Sequence, residues 1–419
     1  MKYYLVGIKG TGMSALAKYL FDLGYLVRGC DYKKYFFTED SLIKRRIVID
    51  DISDFKYLEG YIYIIGSAFD ENNSVVKEVK EKTKEFYYYN DFIGNTIKKE
   101  IFAVSGTHGK TTTSRFLASM LGDDVSCIIG DGTGKGTNSK YLVLEACEYK
   151  EHFLSYHPKI LIVNNIELDH PDYFKNIKDV INTFQKLVNK SDLVLVNNDD
   201  LNTKKLKGKN IISVGTSITS DIIFSYLYNK DKTIIEIKYA GDIYNVSVNF
   251  KGKHLIYDFV MAYVLCLIVG VKPNISNISF PRRRMEETKY GNTILIDDYA
   301  HHPTEIKALH EYISLTYPNR IINVIFQPHT YSRTLKLKKE FIESLSLFDN
   351  VYIDKVFTSS RECINTYNQL KINKYFKRFN KFDKNVLNMI SKDKMEIWVF
   401  LGAGETNKYI HQIINNENN

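Results

Sequence analysis

Short apolar runs alternate with amphipathic stretches along most of the chain. KYYLVG (2–7) is rich in β-formers and ends in glycine, and behind it Met13, Leu16, Ala17 and Leu20 recur at helical spacing. YLVRGCD (25–31) predicts a second strand closed by an acid, YIYIIGSA (61–68) another, and VVKEVKEK (75–82) an amphipathic helix. The pattern resumes at IFAV (101–104), YLVLEA (141–146), ILIVNNIE (160–167) and DLVLVNN (192–198). A polar, alternating region (213–250) predicts hairpins, and DFVMAYVLCLIV (258–269) a helix. TILIDDYA, RIINVIFQPHT, FDNVYIDKV and IWVFLGAGE then repeat the strand pattern. Strands alternating with helices predict an α/β chain with parallel sheets covered by helices.

Two shifts in composition divide this alternation. NTIKKE (95–100) is charge-rich, and PNISNISFPRRRMEE (273–287) mixes Pro, Asn and Ser ahead of a basic cluster. They predict domains over 1–98, 99–280 and 281–419, and 419 residues suffice for three. The net charge of +8 comes from scattered lysines, not from a stripe, so a nucleic-acid partner is not expected. Five cysteines without a CxxC pair point to reduced thiols, no structural zinc and a cytoplasmic protein. No run of 18 apolar residues predicts a membrane span. The sequence leaves the oligomeric state open.

Two glycine-rich turns stand between a strand and a helix. In GIKGTGMSALA (7–17) the glycines fall as G-x-x-G-x-G, not as the dinucleotide fingerprint, which argues against a dehydrogenase. A glycine turn at a helix N-terminus still suits a diphosphate, and Asp31 is placed to meet a ribose. VSGTHGKTTTSRFL (104–117) lacks the first glycine of a strict Walker loop, because Val104 stands there. Its logic nonetheless fits a triphosphate: backbone N–H groups of Gly106, Thr107, His108 and Gly109 face phosphate, Lys110 supplies charge, and Thr111 and Thr112 offer hydroxyls. A Mg²⁺ ion would need oxygen ligands from neighbouring strand ends. Glu145, Glu148, Asp169 and His170 fall at such ends.

SGTHGKTTT resembles the ATP loop of the Mur ligase family, usually T-G-T-[NH]-G-K-T-T, and GIKGTGMSALA resembles the UDP-sugar loop of its alanine-adding members. IIGSAFDENN, LEACEYKEHF, NNIELDHPDYF, RRRME, IDDYAHHPTEI, FQPHTYSRT and LGAGE follow in the family's order, so the resemblance spans nearly the whole chain. It implies a Rossmann-like UDP-sugar domain, a central P-loop-type ATPase domain and a Rossmann-like C-terminal domain. It also implies a reaction: ATP phosphorylates the lactyl carboxylate of UDP-N-acetylmuramate, and L-alanine attacks the acyl phosphate, in peptidoglycan precursor synthesis. By the same resemblance Lys110 holds the β/γ-phosphates, Thr111 and Glu148 bind one Mg²⁺, and His170 binds a second. Gly10, Thr11, Gly12 and Met13 line the UDP diphosphate, and Ser67 and Ala68 flank the UDP-sugar. Arg284, paired with Arg283, meets the transferring phosphoryl, Asp298 and Tyr299 meet the nucleotide, and His329 and Arg333 surround the amino acid.

Blander readings stand beside these. Arg282–Arg284 could be a solvated linker, His301 and His302 a helix cap, and His329 a packed core residue. The family's usual H-N-x-x-N motif reads His254, Leu255, Asp258 here, Met285 replaces a Phe, and Thr330 follows FQPH in place of Arg. Two alternatives stand: a recycling ligase that adds a preformed peptide, which shares the loops, and a nucleotide-binding homologue without catalysis, which the altered adenine positions would suit. Lys110, Glu148, His170 and His329 favour an enzyme.

Overall fold

Apart from 258–269, each apolar run becomes a strand, and most of these are buried on both faces, which is why the runs are continuous and not alternating. The computed structural model describes residues 1–358, 362 and 364–415. Among them the strands form three sheets. The first is fully parallel, in spatial order Val48–Asp51, Leu26–Asp31, Lys2–Val6, Ile62–Ile65, Phe86–Tyr88. Reversal of strand order beside Lys2–Val6 opens a crevice at the carboxyl ends of Lys2–Val6 and Ile62–Ile65.

The second sheet has Glu100–Ser105 near its centre, flanked by Tyr141–Glu145 and Pro158–Val163 in parallel. The region read as hairpins supplies Ile222–Tyr228, Thr233–Tyr239 and Asp242–Val248, which extend this sheet antiparallel at one edge. The predicted helix begins earlier than its apolar run, at Lys253, and ends at Ile268. Beyond its first two residues it is apolar almost all round and therefore enclosed; Phe259, Val260 and Val264 have no exposed surface. The third sheet is parallel except for its edge strand Glu286–Tyr290, with Thr293–Asp298, Glu396–Leu401 and Ile321–Phe326 at its centre.

The first two sheets share one apolar core. Leu16, Ile64 and Phe92 belong to the same buried cluster as Ile128, Leu142 and Phe153. A hairpin of the central unit makes the closest approach: a Cβ on Gly134 would collide with the carbonyl of Ala15 in the helix Thr11–Asp22. The third sheet carries its own cores on its two faces. Cys30, Cys127, Cys147 and Cys266 are free thiols, and Cys363 lies outside the described residues. No helix among the described residues is long and apolar enough to cross a membrane.

Candidate functional site

The first glycine turn leaves the strand Lys2–Val6 and enters the helix Thr11–Asp22. Gly10 is its N-cap and offers no side chain, so the first-turn N–H groups of Thr11, Gly12 and Met13 remain available to an anion. Met13's side chain is core, 5% exposed, and only its backbone can face a ligand. Ser67 and Ala68 are exposed beside this turn, where Gly66 N donates to Val6 O at 3.0 Å. Asp31 braces the loop: its carboxylate accepts the N–H of Lys9 at 2.7 Å and of Tyr32 at 2.8 Å. Burial pushes its pKa up despite those bonds.

The second turn leaves Glu100–Ser105 and enters the helix Lys110–Leu121. Gly109 has φ +79°, and a Cβ there would strike the Asp258 carboxylate, so only glycine fits. Lys110 Nζ donates to the carbonyls of Gly106 at 2.6 Å and Thr107 at 2.9 Å, and pairs with Glu148 Oε2 at 3.0 Å. Burial would lower the Lys110 pKa, but Glu148 outweighs it and the ammonium is held. Thr111 Oγ1 donates to Glu145 Oε1 at 3.1 Å, and Glu145 Oε2 accepts Gly130 N at 2.7 Å. Thr112 is buried and lines the cavity beside the loop, and Thr107 and His108 are tied to the neighbouring strand end through Glu167 and Asn165. His170 sits at φ +51°, with Nε2 3.9 Å from Glu148 Oε1 and its ring 4.6 Å from Tyr149. Such backbone is uncommon outside glycine and is retained at sites that fix a side chain. A buried carboxylate, Glu148, and a half-buried one, Glu145, face one ammonium here, so a cation has hard oxygen donors in Thr111, Glu145 and Glu148, as Mg²⁺ requires.

The C-terminal unit closes over this loop. Arg333, 3% exposed, forms a two-pronged pair with Asp169 at 2.9 and 3.1 Å, and its Nη1 lies 2.9 Å from His329 Nδ1. Burial would raise the Asp169 pKa, but Arg333 holds it well below the carboxylate range. Arg284 Nη1 donates to Glu305 Oε1 at 3.1 Å. Arg283 has a different place: it is buried against Asp297 and the carbonyls of Gly402 and Gly404, inside its own unit. Tyr299 lies under both guanidiniums, with centroids 5.3 and 5.6 Å away. Asp298 accepts the N–H groups of Met285 and Ala300 at 2.8 Å each, and burial pushes it up to about 6. His302 is the N-cap of the helix Pro303–Thr316, its Nδ1 accepting Thr304 N at 3.3 Å. His301 is beside His329, ring centroids 5.3 Å apart; burial and Arg333 push it down to about 3.

Several residues that the motifs contained but the sequence left without a role now have one. Glu167 and Glu305 bracket His108 at 3.5 and 3.7 Å. Burial pulls His108 down, but these two carboxylates bring it up to about 9. His108, Glu167 and His302 offer ligand atoms within 4.8 Å of one another, and the two carboxylates already neutralise a protonated His108. Between the units lies a cavity of about 410 Å³, lined by His108, Gly109, Lys253, Asp258, Arg284 and Glu305 among others. Spacing in the chain could not have paired Asp169 with a guanidinium 164 residues away.

Residues 2–100, 104–266 and 283–374 match, in that order, the families described as Mur ligase family, catalytic domain; Mur ligase middle domain; and Mur ligase, glutamate ligase domain. The fold is similar to that of a UDP-N-acetylmuramate-alanine ligase from Thermotoga maritima, at TM-score 0.82 and 24% identity over 100% of this chain and 99% of that one. It is also similar to a murein peptide ligase from Psychrobacter arcticus, at TM-score 0.68 and 19% identity, covering 99% and 98%. A MurF ligase from Thermotoga maritima in complex with ADP gives TM-score 0.61 and 15% identity, covering 93% and 94%. At these identities the likeness establishes a shared three-domain fold. The consecutive family matches, together covering most of its length, show that the chain belongs to the Mur ligase family of ATP-dependent amide ligases in peptidoglycan precursor synthesis.

Proposed function

We propose that this ligase joins L-alanine to the lactyl carboxylate of UDP-N-acetylmuramate. The observation that carries the reading is the facing of two charge clusters: Lys110, Glu148 and His170 on the central unit, and Arg333 with His329 across the Asp169 pair. Domain boundaries at 98/99 and 280/281 put the first loop, the second loop and that Arg–His pair on three separate units, in the cytoplasm. The carboxylate oxygen attacks the γ-phosphorus and ADP leaves. The alanine amine then attacks the acyl carbon, a tetrahedral intermediate collapses, and phosphate departs as the nitrogen loses its proton. The transition states gather anions, so catalysis here is positioning and charge neutralisation.

In this reading Lys110 offsets charge on the β/γ-phosphates, and the loop N–H groups from Gly106 to Gly109 orient them. Thr111, Glu148 and His170, joined by Glu145, would hold two Mg²⁺ ions, which supply charge neutralisation at the phosphates. Gly10 to Met13 take the UDP diphosphate, with Ser67 and Ala68 at its side. Arg284 meets the transferring phosphoryl and Asp298 and Tyr299 flank the nucleotide. His329 and Arg333 orient the amino acid. Closure excludes water from the acyl phosphate. The test is phosphate release from ATP with UDP-N-acetylmuramate and L-alanine, each omitted in turn. Release is expected only with both, and equal turnover with a tripeptide in place of alanine would overturn the alanine assignment.

A further inference from the structure

Tyr89 stands between the two glycine loops and has no role in the chemistry above. It opens the helix Tyr89–Thr96, which joins the first unit to the second. That helix is pinned to the segment following Glu148: Tyr156 Oη donates to Asn90 Oδ1 at 2.9 Å, and Ser155 Oγ to Asp91 Oδ1 at 2.8 Å. The ring of Tyr89 packs on the shared apolar core. Its polar end points the other way. A Cβ built on Gly12 would lie 3.0 Å from the Tyr89 hydroxyl, so the phenol covers the first loop at its helix start. The same hydroxyl is within electrostatic range of Glu145 and Cys147, at the mouth of the second loop. Among the described residues it makes no hydrogen bond.

A phenol whose ring is fixed and whose O–H lacks a partner is a preorganised donor. Any ligand reaching from the first loop toward Lys110 passes it. We infer that the Tyr89 hydroxyl is a substrate contact, donating a hydrogen bond to the sugar and lactyl portion of the nucleotide sugar between its diphosphate and its reacting carboxylate. This rests on the reading above, in which one substrate spans both loops. The anionic or carbonyl oxygens of that portion accept the bond. Burial, with Glu145 and Cys147 nearby, pushes the phenol's pKa up, so it serves as a donor throughout the working pH range.

Tyr89→Phe keeps the ring and removes only the donor, so folding is preserved. Calorimetric titration of wild type and variant with UDP-N-acetylmuramate, and separately with UDP, tests the inference. Loss of a hydrogen bond to a charged partner predicts about tenfold weaker binding of the nucleotide sugar. Affinity for UDP and the KM for ATP should be unchanged. Equal affinity of both proteins for UDP-N-acetylmuramate overturns the inference. So does an equal loss for UDP, which would mean that Tyr89 merely shapes the first loop. If wild type binds neither ligand, the functional reading falls and takes the inference with it.

Discussion

Lys110 is held by two carbonyls and one carboxylate, an arrangement that fixes an ammonium at the mouth of the loop. Lys110→Ala removes the positive charge and leaves Glu148 buried without its partner. Phosphate release should fall by at least about 100-fold, while substrate affinity at the first loop is retained; steady-state release and UDP-sugar titration separate the two. Asp258 gives a second test. It is 5% exposed, its Oδ1 accepts from Asn164 at 3.3 Å, and burial pushes it up to about 8. The folded pKa lies above the unfolded one, so the native state keeps a proton that the unfolded chain has lost. Stability contributed at this position therefore falls as pH rises from about 4 to about 8. Asp258→Asn should raise Tm at about pH 8.5 more than at about pH 5.5, which scanning calorimetry at both values would show. Residue identities at the loops were legible because glycine, lysine and threonine at a strand-to-helix turn have few other uses. Partners were less so: Asp31, expected to meet a ribose, also braces its own loop, and Arg283, read as the companion of Arg284, is tied to Asp297. Both are cases in which a buried charge satisfies nearby backbone, which no spacing reveals.

Elements were more legible than partners, because a continuous apolar run has to be buried whatever it packs against. The limit shows at the helix Lys253–Ile268, whose polar first turn carries no periodic signal and whose start follows Gly252 at φ +97°. Docking between elements was not legible. The hairpin of Ser126–Ile128 and Gly134–Lys135 rests on the helix Thr11–Asp22 because glycines at 134 and 136 let backbone meet backbone. Gly134→Ala would force these elements apart. We expect a drop in Tm and a weaker affinity for the UDP-sugar, because the helix that moves carries the first loop. Gly24→Ala provides the comparison: a Cβ there meets nothing, and its positive φ gives backbone strain without undocking. If the two variants lose UDP-sugar affinity equally, the docking argument is wrong.

At the scale of the whole molecule the two joints differ in kind. The first and second units share one apolar core, whereas the third meets the second through Met285 and Tyr312 and through a set of polar pairs: Arg333 with Asp169, Thr304 Oγ1 with Glu167 at 2.7 Å, and His108 with Glu305. A polar joint between domains is the one expected to open. Closure is therefore assigned to the third unit, and its electrostatics set its pH range. His108 is brought up to about 9 by Glu167, which lies on its own unit, and by Glu305 across the joint, so only the Glu305 part of that upward shift belongs to closure. Its contribution to closure is complete where the open form is still protonated and is lost as pH rises through about 9. On the acid side Glu167 keeps its charge: burial would raise it, but His108 holds it down to about 2. The ligand-free protein should thus expand at alkaline pH, with a radius of gyration by small-angle scattering that rises between about pH 7 and about pH 10. His108→Gln should flatten that rise. Asp169→Asn, which leaves Arg333 buried without its carboxylate, should give the larger radius throughout and slow phosphate release. A radius independent of pH in wild type would place the moving joint elsewhere.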